Sequence, residues 1–144
     1  MANILYAEDD RDCRELFAFA LRHKDHRVHE AINGAQAVQI VREEPIDLAI
    51  LDIRMPMVTG YDAARIIAKE GADIPIVFLS AKGMRREVSM AFDCGPMVVE
   101  YIIKPITPSQ LVDRIEYILT DCQVRGIEAV REENMTRELV AIEW

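Results

Sequence analysis

The sequence lacks the features of several common protein classes. No apolar run among its 144 residues is long enough to cross a bilayer, and the N-terminus has no basic stretch followed by a cleavable apolar segment. Basic residues are outnumbered by acidic ones, 17 to 25, which gives a net charge of −8. Nucleic-acid binding depends mainly on neutralising phosphates, so a chain this acidic is a poor candidate for it. We therefore expect no export signal, no membrane span and no direct nucleic-acid binding.

Cysteine is also scarce, which argues against a disulfide framework. Cys13, Cys94 and Cys122 are odd in number, widely spaced and not in a Cys-x-x-Cys arrangement. This pattern is typical of free thiols in a reducing compartment, and it favours a cytoplasmic protein. A redox role is the less favoured interpretation.

What the sequence does contain is a regular alternation of short apolar runs and longer stretches of helical period. The hydrophobic share of 51% is enough for a packed core. Five strands and five helices account for residues 1 to about 121, the pattern of repeated βαβ units. Right-handed crossovers then predict an α/β fold with a doubly wound, five-stranded parallel sheet of the flavodoxin-like type. We expect this domain over residues 1–121 and a helical extension over residues 122–144.

Four of the apolar runs end in a residue that can bind phosphate or a hard metal. Since the carboxyl ends of parallel strands meet at one edge of a sheet, these residues are expected to lie together. The four strand ends are Ile4–Ala7 followed by Glu8-Asp9-Asp10, Leu48–Leu51 followed by Asp52, Ile74–Leu79 followed by Ser80, and Tyr101–Ile103 followed by Lys104-Pro105. The cluster suits Mg²⁺ and a phosphoryl group.

Asp52 is the central residue of this cluster. A carboxylate at the end of a buried strand can attack a phosphoryl group and form an acyl phosphate. Glu8 and Asp9 supply further carboxylates for Mg²⁺, and the backbone carbonyl of Arg54 can complete the protein's share of the ligands. Without metal these carboxylates repel one another, so at least one pKa is expected to be raised.

Lys104 and Ser80 complete the predicted chemistry. The ammonium of Lys104 can pair with a phosphate oxygen, and the hydroxyl of Ser80 can donate a hydrogen bond to another. Each feature alone is weak, because Asp is common in turns and Lys-Pro is an ordinary dipeptide. Their occurrence at successive strand ends is what indicates a functional site.

With these residues in place, the chain resembles the receiver domain of two-component response regulators. The matching motifs are ILYAEDD, LAILDIRMPMVTG, IPIVFLSA and YIIKP, and the resemblance covers residues 3 to about 121. It implies a phosphoacceptor signalling domain rather than an enzyme, with only self-catalysed phosphotransfer and autodephosphorylation. The implied donor is a sensor histidine kinase or a phosphotransfer protein.

The resemblance also implies a role for each site residue. These roles are phosphoacceptor for Asp52, Mg²⁺ ligands for Glu8, Asp9, Asp52 and the Arg54 carbonyl, switch hydroxyl for Ser80, phosphate-binding lysine for Lys104, and switch aromatic for Tyr101.

The connection before Tyr101 departs from the family pattern. Five residues separate Gly95 from Tyr101, two more than receivers commonly have. The extra residues are explained either by a longer strand or adjusted loop, or by an altered partner surface. They lie beside the face of the fourth helix, fifth strand and fifth helix, which the family uses for output and dimerisation.

The extension leaves two interpretations open. Apolar residues recur at roughly helical spacing among many Glu and Arg residues, and Gly126 weakens the early part of this helix by about 1 kcal/mol relative to Ala. The helix either packs on its own domain, or it forms a homodimer or a linker to a further module. The roughly 23 residues after the receiver are too few for a helix-turn-helix domain.

Two rival functions are less well supported by the residues present. A hydrolase of the dehalogenase type resembles this pattern but has a second Asp two residues after the first, where this chain has Arg54. A receiver-like scaffold without phosphorylation usually lacks the acceptor, the acidic pair or the lysine, and this chain retains them all.

Overall fold

The computed structural model describes residues 1–142, in which five strands alternate with five helices and a sixth helix follows. The strands are β1 (Asn3–Ala7), β2 (Arg27–Ala31), β3 (Leu48–Leu51), β4 (Ile76–Ser80) and β5 (Val98–Ile103). The helices are α1 (Arg11–His23), α2 (Gly34–Glu43), α3 (Gly60–Lys69), α4 (Arg85–Phe92), α5 (Pro108–Arg125) and α6 (Ile127–Ile142). All strand pairs are parallel, in the order β2-β1-β3-β4-β5. The predicted doubly wound sheet is confirmed.

The central strands are buried on both sides because helices cover both faces of the sheet. All four residues of β3 and all five of β4 are buried, as expected for a parallel sheet. One core contains residues of α1 and α5, including Phe17 and Ile115. The other core contains residues of α2, α3 and α4, including Val38, Ile67 and Phe92.

Polar residues fix the turns at which strands pass into helices. The carboxylate of Asp10 accepts from the backbone of Asp12 and Cys13 at the start of α1, and Thr59 caps α3 through Asp62. Thr107 and Gln110 form a reciprocal capping box at the start of α5. These caps satisfy N–H groups that have no partner inside the helix. They hold the loops at the carboxyl edge of the sheet in defined positions.

β5 is an edge strand and contains a bulge. Ile76 is opposite Val98 and the next residue, Val77, is opposite Glu100, so Val99 has no counterpart in β4. A bulge of this kind takes up an extra residue in one strand of a pair. Of the explanations for the longer connection before Tyr101, the structure therefore supports a longer, bulged strand.

The boundary between the fifth helix and the helical extension lies four residues later than predicted. α5 continues to Arg125, past residue 121, and Gly126 adopts a φ of +92° before α6 begins. A positive φ is accessible to glycine without a steric penalty, so Gly126 separates the two helices. α6 lies against β5, α5 and α4 of its own domain. Residues 143–144 of the expected extension lie outside the described residues.

Within residues 1–142, no helix is both long enough and apolar enough to span a bilayer.

Candidate functional site

The four strand ends selected from the sequence lie along one edge of the sheet. The backbone N–H of Asp52 donates to the carbonyl of Ala7 at 3.0 Å, which aligns the end of β3 with the end of β1. On the other side, the N–H of Lys104 donates to the carbonyl of Ser80 at 2.8 Å. Together with the pairing of β3 and β4, these bonds place the four strand ends along one edge of the sheet, as the sequence predicts.

Three carboxylates converge at this edge. Glu8, Asp9 and Asp52 each offer one oxygen, and these oxygens lie within 4.8 Å of one another. Glu8 is 2% exposed and Asp52 is 7% exposed, whereas Asp9 faces solvent. The cluster thus has two buried members and one open side.

Lys104 joins the two buried carboxylates. Its Nζ lies 2.6 Å from Glu8 Oε1 and 3.1 Å from Asp52 Oδ2. Charged groups are rarely buried without a partner, and here one ammonium offsets part of the charge of two acids. The site holds more negative than positive charge among these three groups, so it favours a further cation.

The pKa values of this cluster reflect burial and mutual charge. Burial raises the pKa of Glu8 to about 7, the neighbouring Asp52 adds to the rise, and Lys104 opposes it. For Lys104, burial lowers the pKa, but the hydrogen bond to Glu8 and the charge of Asp52 outweigh it, and the net pKa is raised. The expected rise of at least one carboxyl pKa in the absence of metal is confirmed at Glu8.

The donor set fits a hard divalent cation. Mg²⁺ prefers oxygen ligands and is commonly held by one or two carboxylates together with water and phosphate oxygens. Three carboxylates at one open edge provide that chemistry. Arg54 lies two residues after Asp52, and its N–H donates to Asp52 Oδ1 at 3.2 Å. Its carbonyl as a metal ligand stays a prediction.

Ser80 and Tyr101 meet next to this cluster through the backbone of Lys82. The N–H of Lys82 donates to Ser80 Oγ at 3.2 Å, and the Tyr101 hydroxyl donates to the carbonyl of Lys82. The ring of Tyr101 is 1% exposed and lies 6.4 Å from that of Phe78. Burial raises the pKa of the Tyr101 phenol, and the Ser80 hydroxyl partly offsets the rise. Ser80 of β4 and Tyr101 of β5 therefore bind the same residue of the loop after β4, as a coupled pair would require.

Two supporting residues of the site were not assigned this role from the sequence. Arg14 donates from Nη1 to the carbonyls of Glu8 at 2.9 Å and Asp9 at 3.5 Å, which braces the acidic turn. In the sequence, the only indication of this role of Arg14 is its position one helical turn after Asp10. Gly60 lies against the Asp52 backbone so closely that a Cβ would sit 2.1 Å from the Asp52 carbonyl oxygen.

Comparison with known proteins yields matches of sequence and of structure. The family model described as the response regulator receiver domain matches residues 4–116. Response regulator SaeR of Staphylococcus aureus is 30% identical over 120 residues, which cover 83% of this chain and 51% of that protein. This chain spans about half the length of the curated relatives it matches.

Solved structures give the same result. The non-phosphorylated HemR receiver domain from Leptospira biflexa has a TM-score of 0.76 and 31% identity, over 83% of this chain and 95% of that one. The response regulator protein TrrA from Thermotoga maritima, solved in complex with Mg²⁺-BeF, has a TM-score of 0.72 and 28% identity. That match covers 82% of this chain and 99% of the TrrA chain.

Proposed function

We propose that Asp52 is the phosphoacceptor of this chain, which belongs to the response regulator receiver domain family and so to two-component signalling. The observation that carries the proposal is the position of the Asp52 carboxylate. It is buried at the carboxyl edge of the sheet, beside two acids and the ammonium of Lys104. Glu8 follows β1 and has the same neighbours, but burial raises its pKa to about 7, so near neutral pH it is partly protonated and a poorer nucleophile.

In the proposed reaction, a carboxylate oxygen of Asp52 forms a bond to phosphorus as the phosphorus–nitrogen bond of a phosphohistidine breaks. The imidazole of the donor keeps the electron pair of that bond. The transition state needs mainly positioning and neutralisation of charge. Lys104 supplies a positive charge next to Asp52, and the backbone N–H of Arg54 fixes the orientation of the carboxylate.

Mg²⁺ is the proposed cofactor of the site. Glu8, Asp9, Asp52 and the carbonyl of Arg54 would hold the ion, which when bound neutralises charge on the phosphoryl oxygens. The three carboxylates outnumber the single ammonium of Lys104, and this excess of negative charge supports the assignment.

Ser80 and Tyr101 are the proposed switch pair. An aspartyl phosphate offers oxygen acceptors to the Ser80 hydroxyl, which accepts from the backbone of Lys82, the same residue to which the Tyr101 hydroxyl donates. A shift of Ser80 toward the phosphate would change the environment of the Tyr101 ring. The result is a population shift between two arrangements of the loop and of β5.

The proposed donor is a sensor histidine kinase or a phosphotransfer protein. The domain acts as a signalling element, and its only proposed catalysis is its own phosphorylation and autodephosphorylation. The net charge of −8 supports the absence of direct nucleic-acid binding by this chain. The free thiols of Cys13, Cys94 and Cys122 support a cytoplasmic location.

The direct test is incubation of the full chain with a small acyl-phosphate donor, with Mg²⁺ and with chelator. We expect one phosphoryl group per chain, dependent on Mg²⁺ and located by mass spectrometry in the peptide that contains Asp52. Label on another residue, or uptake that is the same in chelator, would contradict the proposal.

Asp9 gives a separate test of the metal assignment. Since Asp9 is exposed, Asp9→Asn is expected to leave the fold intact while it lowers Mg²⁺ affinity about 10-fold or more, because one carboxylate ligand is lost. Titration calorimetry with MgCl₂ measures this. The matched control is Asp12→Asn, an exposed acid in the first turn of α1, which should bind Mg²⁺ like the wild type. Equal affinity for both variants would remove Asp9 from the site.

A further inference from the structure

α6 lies along β5, one of the two edge strands of the sheet. β5 pairs with β4 on one side only, and α6 lies along its other side. From this position α6 contributes to both cores: Val130 and Ile127 pack with the α1 and α5 core, and Met135 and Leu139 pack with the α2, α3 and α4 core. An open strand edge is a template for pairing with another chain, so a helix in this place covers a surface that others could use.

Arg131 binds α6 to the end of α4 and the start of β5. Its guanidinium donates to the carbonyls of Phe92 at 2.9 Å, Gly95 at 3.0 Å and Val98 at 2.9 Å. The same group lies 5.6 Å from the centre of the Phe92 ring. A cation at the C-terminus of a helix is favourable, and here it also satisfies three carbonyls at once.

Asn134 binds the bulge of β5. Its side chain is 4% exposed and donates from Nδ2 to the carbonyl of Val99 at 2.9 Å. Val99 is the residue without a counterpart in β4, so its carbonyl is free to face the helix. Buried amide groups are nearly always hydrogen-bonded, and here the Asn134 amide bonds to the bulged residue itself.

Arg137 binds the carboxylate that follows the bulge. Glu100 is 1% exposed and accepts from Arg137 of α6 at 2.9 Å and from Arg114 of α5. Its other oxygen accepts from the backbone N–H of Tyr101 at 3.1 Å. Because Glu100 has these partners, its charge can be buried within the strand.

The three side chains are spaced evenly along α6. Arg131, Asn134 and Arg137 are each three residues apart, so they project from neighbouring positions on one side of the helix. They match three successive groups of β5: the carbonyls of Val98 and Val99 and the carboxylate of Glu100. Apolar contacts add to these hydrogen bonds: Ile127, Met135 and Leu139 pack against the cores while partly exposed, and Val130 is the only fully buried apolar residue among residues 127–141.

We propose that the outer edge of β5 is a helix-binding site, that α6 is its resident occupant through the pattern Arg-x-x-Asn-x-x-Arg, and that docked α6 shields this edge from other chains. Because only Val130 among the apolar residues at positions 127–141 is fully buried and Gly126 separates α6 from α5, α6 can leave the edge while the sheet stays folded. This inference does not depend on the phosphorylation of Asp52.

The test uses hydrogen exchange of the full chain. In the wild type, amides of α6 are expected to exchange at least about 10-fold faster than those of β1 and β3, because α6 opens alone. In Arg131→Ala/Asn134→Ala, exchange of α6 should rise at least about 10-fold further, since the hydrogen bonds to four carbonyls are lost. The matched control, Glu132→Ala/Thr136→Ala, changes two exposed residues of the same helix and should exchange like the wild type.

Sedimentation velocity of the same three chains tests the shielding. The wild type and the control are expected to remain monomeric, and the Arg131→Ala/Asn134→Ala chain to self-associate as concentration rises. Three results would overturn the inference. They are equal exchange of α6 and the central strands in the wild type, equal behaviour of the double variant and its control, and a dimeric wild type with protected α6, in which the helix docks on a second copy.

Discussion

Asp52→Asn is expected to abolish phosphoryl uptake, with a fall of at least about 100-fold in label incorporated from a small phosphodonor. The amide has nearly the shape of the carboxylate, and its oxygen can still accept from the N–H of Arg54. It is, however, no nucleophile toward phosphorus. The substitution also removes a negative charge beside Glu8, so the variant should remain folded.

The control for this variant is Asp73→Asn. Asp73 is exposed and precedes β4, which places it at the opposite edge of the sheet from Asp52. It changes the net charge by the same amount and should incorporate label like the wild type. Thermal unfolding followed by circular dichroism checks that both variants are folded. Uptake by Asp52→Asn at the wild-type level would assign the acceptor to another residue.

Gly60→Ala is expected to lower the free energy of unfolding by about 3 kcal/mol. A Cβ at this position would lie 2.1 Å from the Asp52 carbonyl oxygen and 2.9 Å from the Cα of Ile53. Both atoms belong to the backbone, so the clash cannot be relieved by a side-chain rotation. The loop after β3 has to move, and Asp52 moves with it, so phosphoryl uptake should fall as well. Urea unfolding gives the change in stability.

Gly83→Ala is the matched control for this steric effect. The nearest atom to its Cβ is Cδ1 of Ile103 at 3.0 Å, the end of a flexible side chain that can turn away. We expect its stability to change by less than about 1 kcal/mol. If both alanine variants unfold at the same urea concentration, the close approach of Gly60 to Asp52 does not constrain the loop.

The sequence was sufficient to predict the sheet and the convergence of its strand ends. Residues 4–7, 48–51 and 76–79 are uninterrupted apolar runs, and such runs separated by helical periods specify parallel strands. Once the strands are parallel, Glu8, Asp52 and Ser80 must share one edge. These predictions depend on local pattern and on topology, both of which can be read along the chain.

The docking of α6 could not be predicted in the same way. Arg131, Arg137 and Glu100 resemble ordinary surface charges in the sequence, because a charged residue reveals its burial only through partners that are distant in the chain. Arg137 and Glu100 are separated by 37 positions. The extra length before Tyr101 was visible, but the sequence does not distinguish a loop from a bulge, and Asn134, which binds the Val99 carbonyl, lies 35 positions away.

The bulge in β5 makes α6 and this strand one transferable unit. A chimaera in which α6 alone is fused to a receiver with a shorter fifth strand would lack the outward carbonyl of Val99 and would have no defined counterpart of Glu100. Asn134 and Arg137 would then face the edge of a regular strand, in which neither acceptor lies at the matching position. Any engineering that moves this helix between proteins must therefore move the segment from Gly95 to Tyr101 with it.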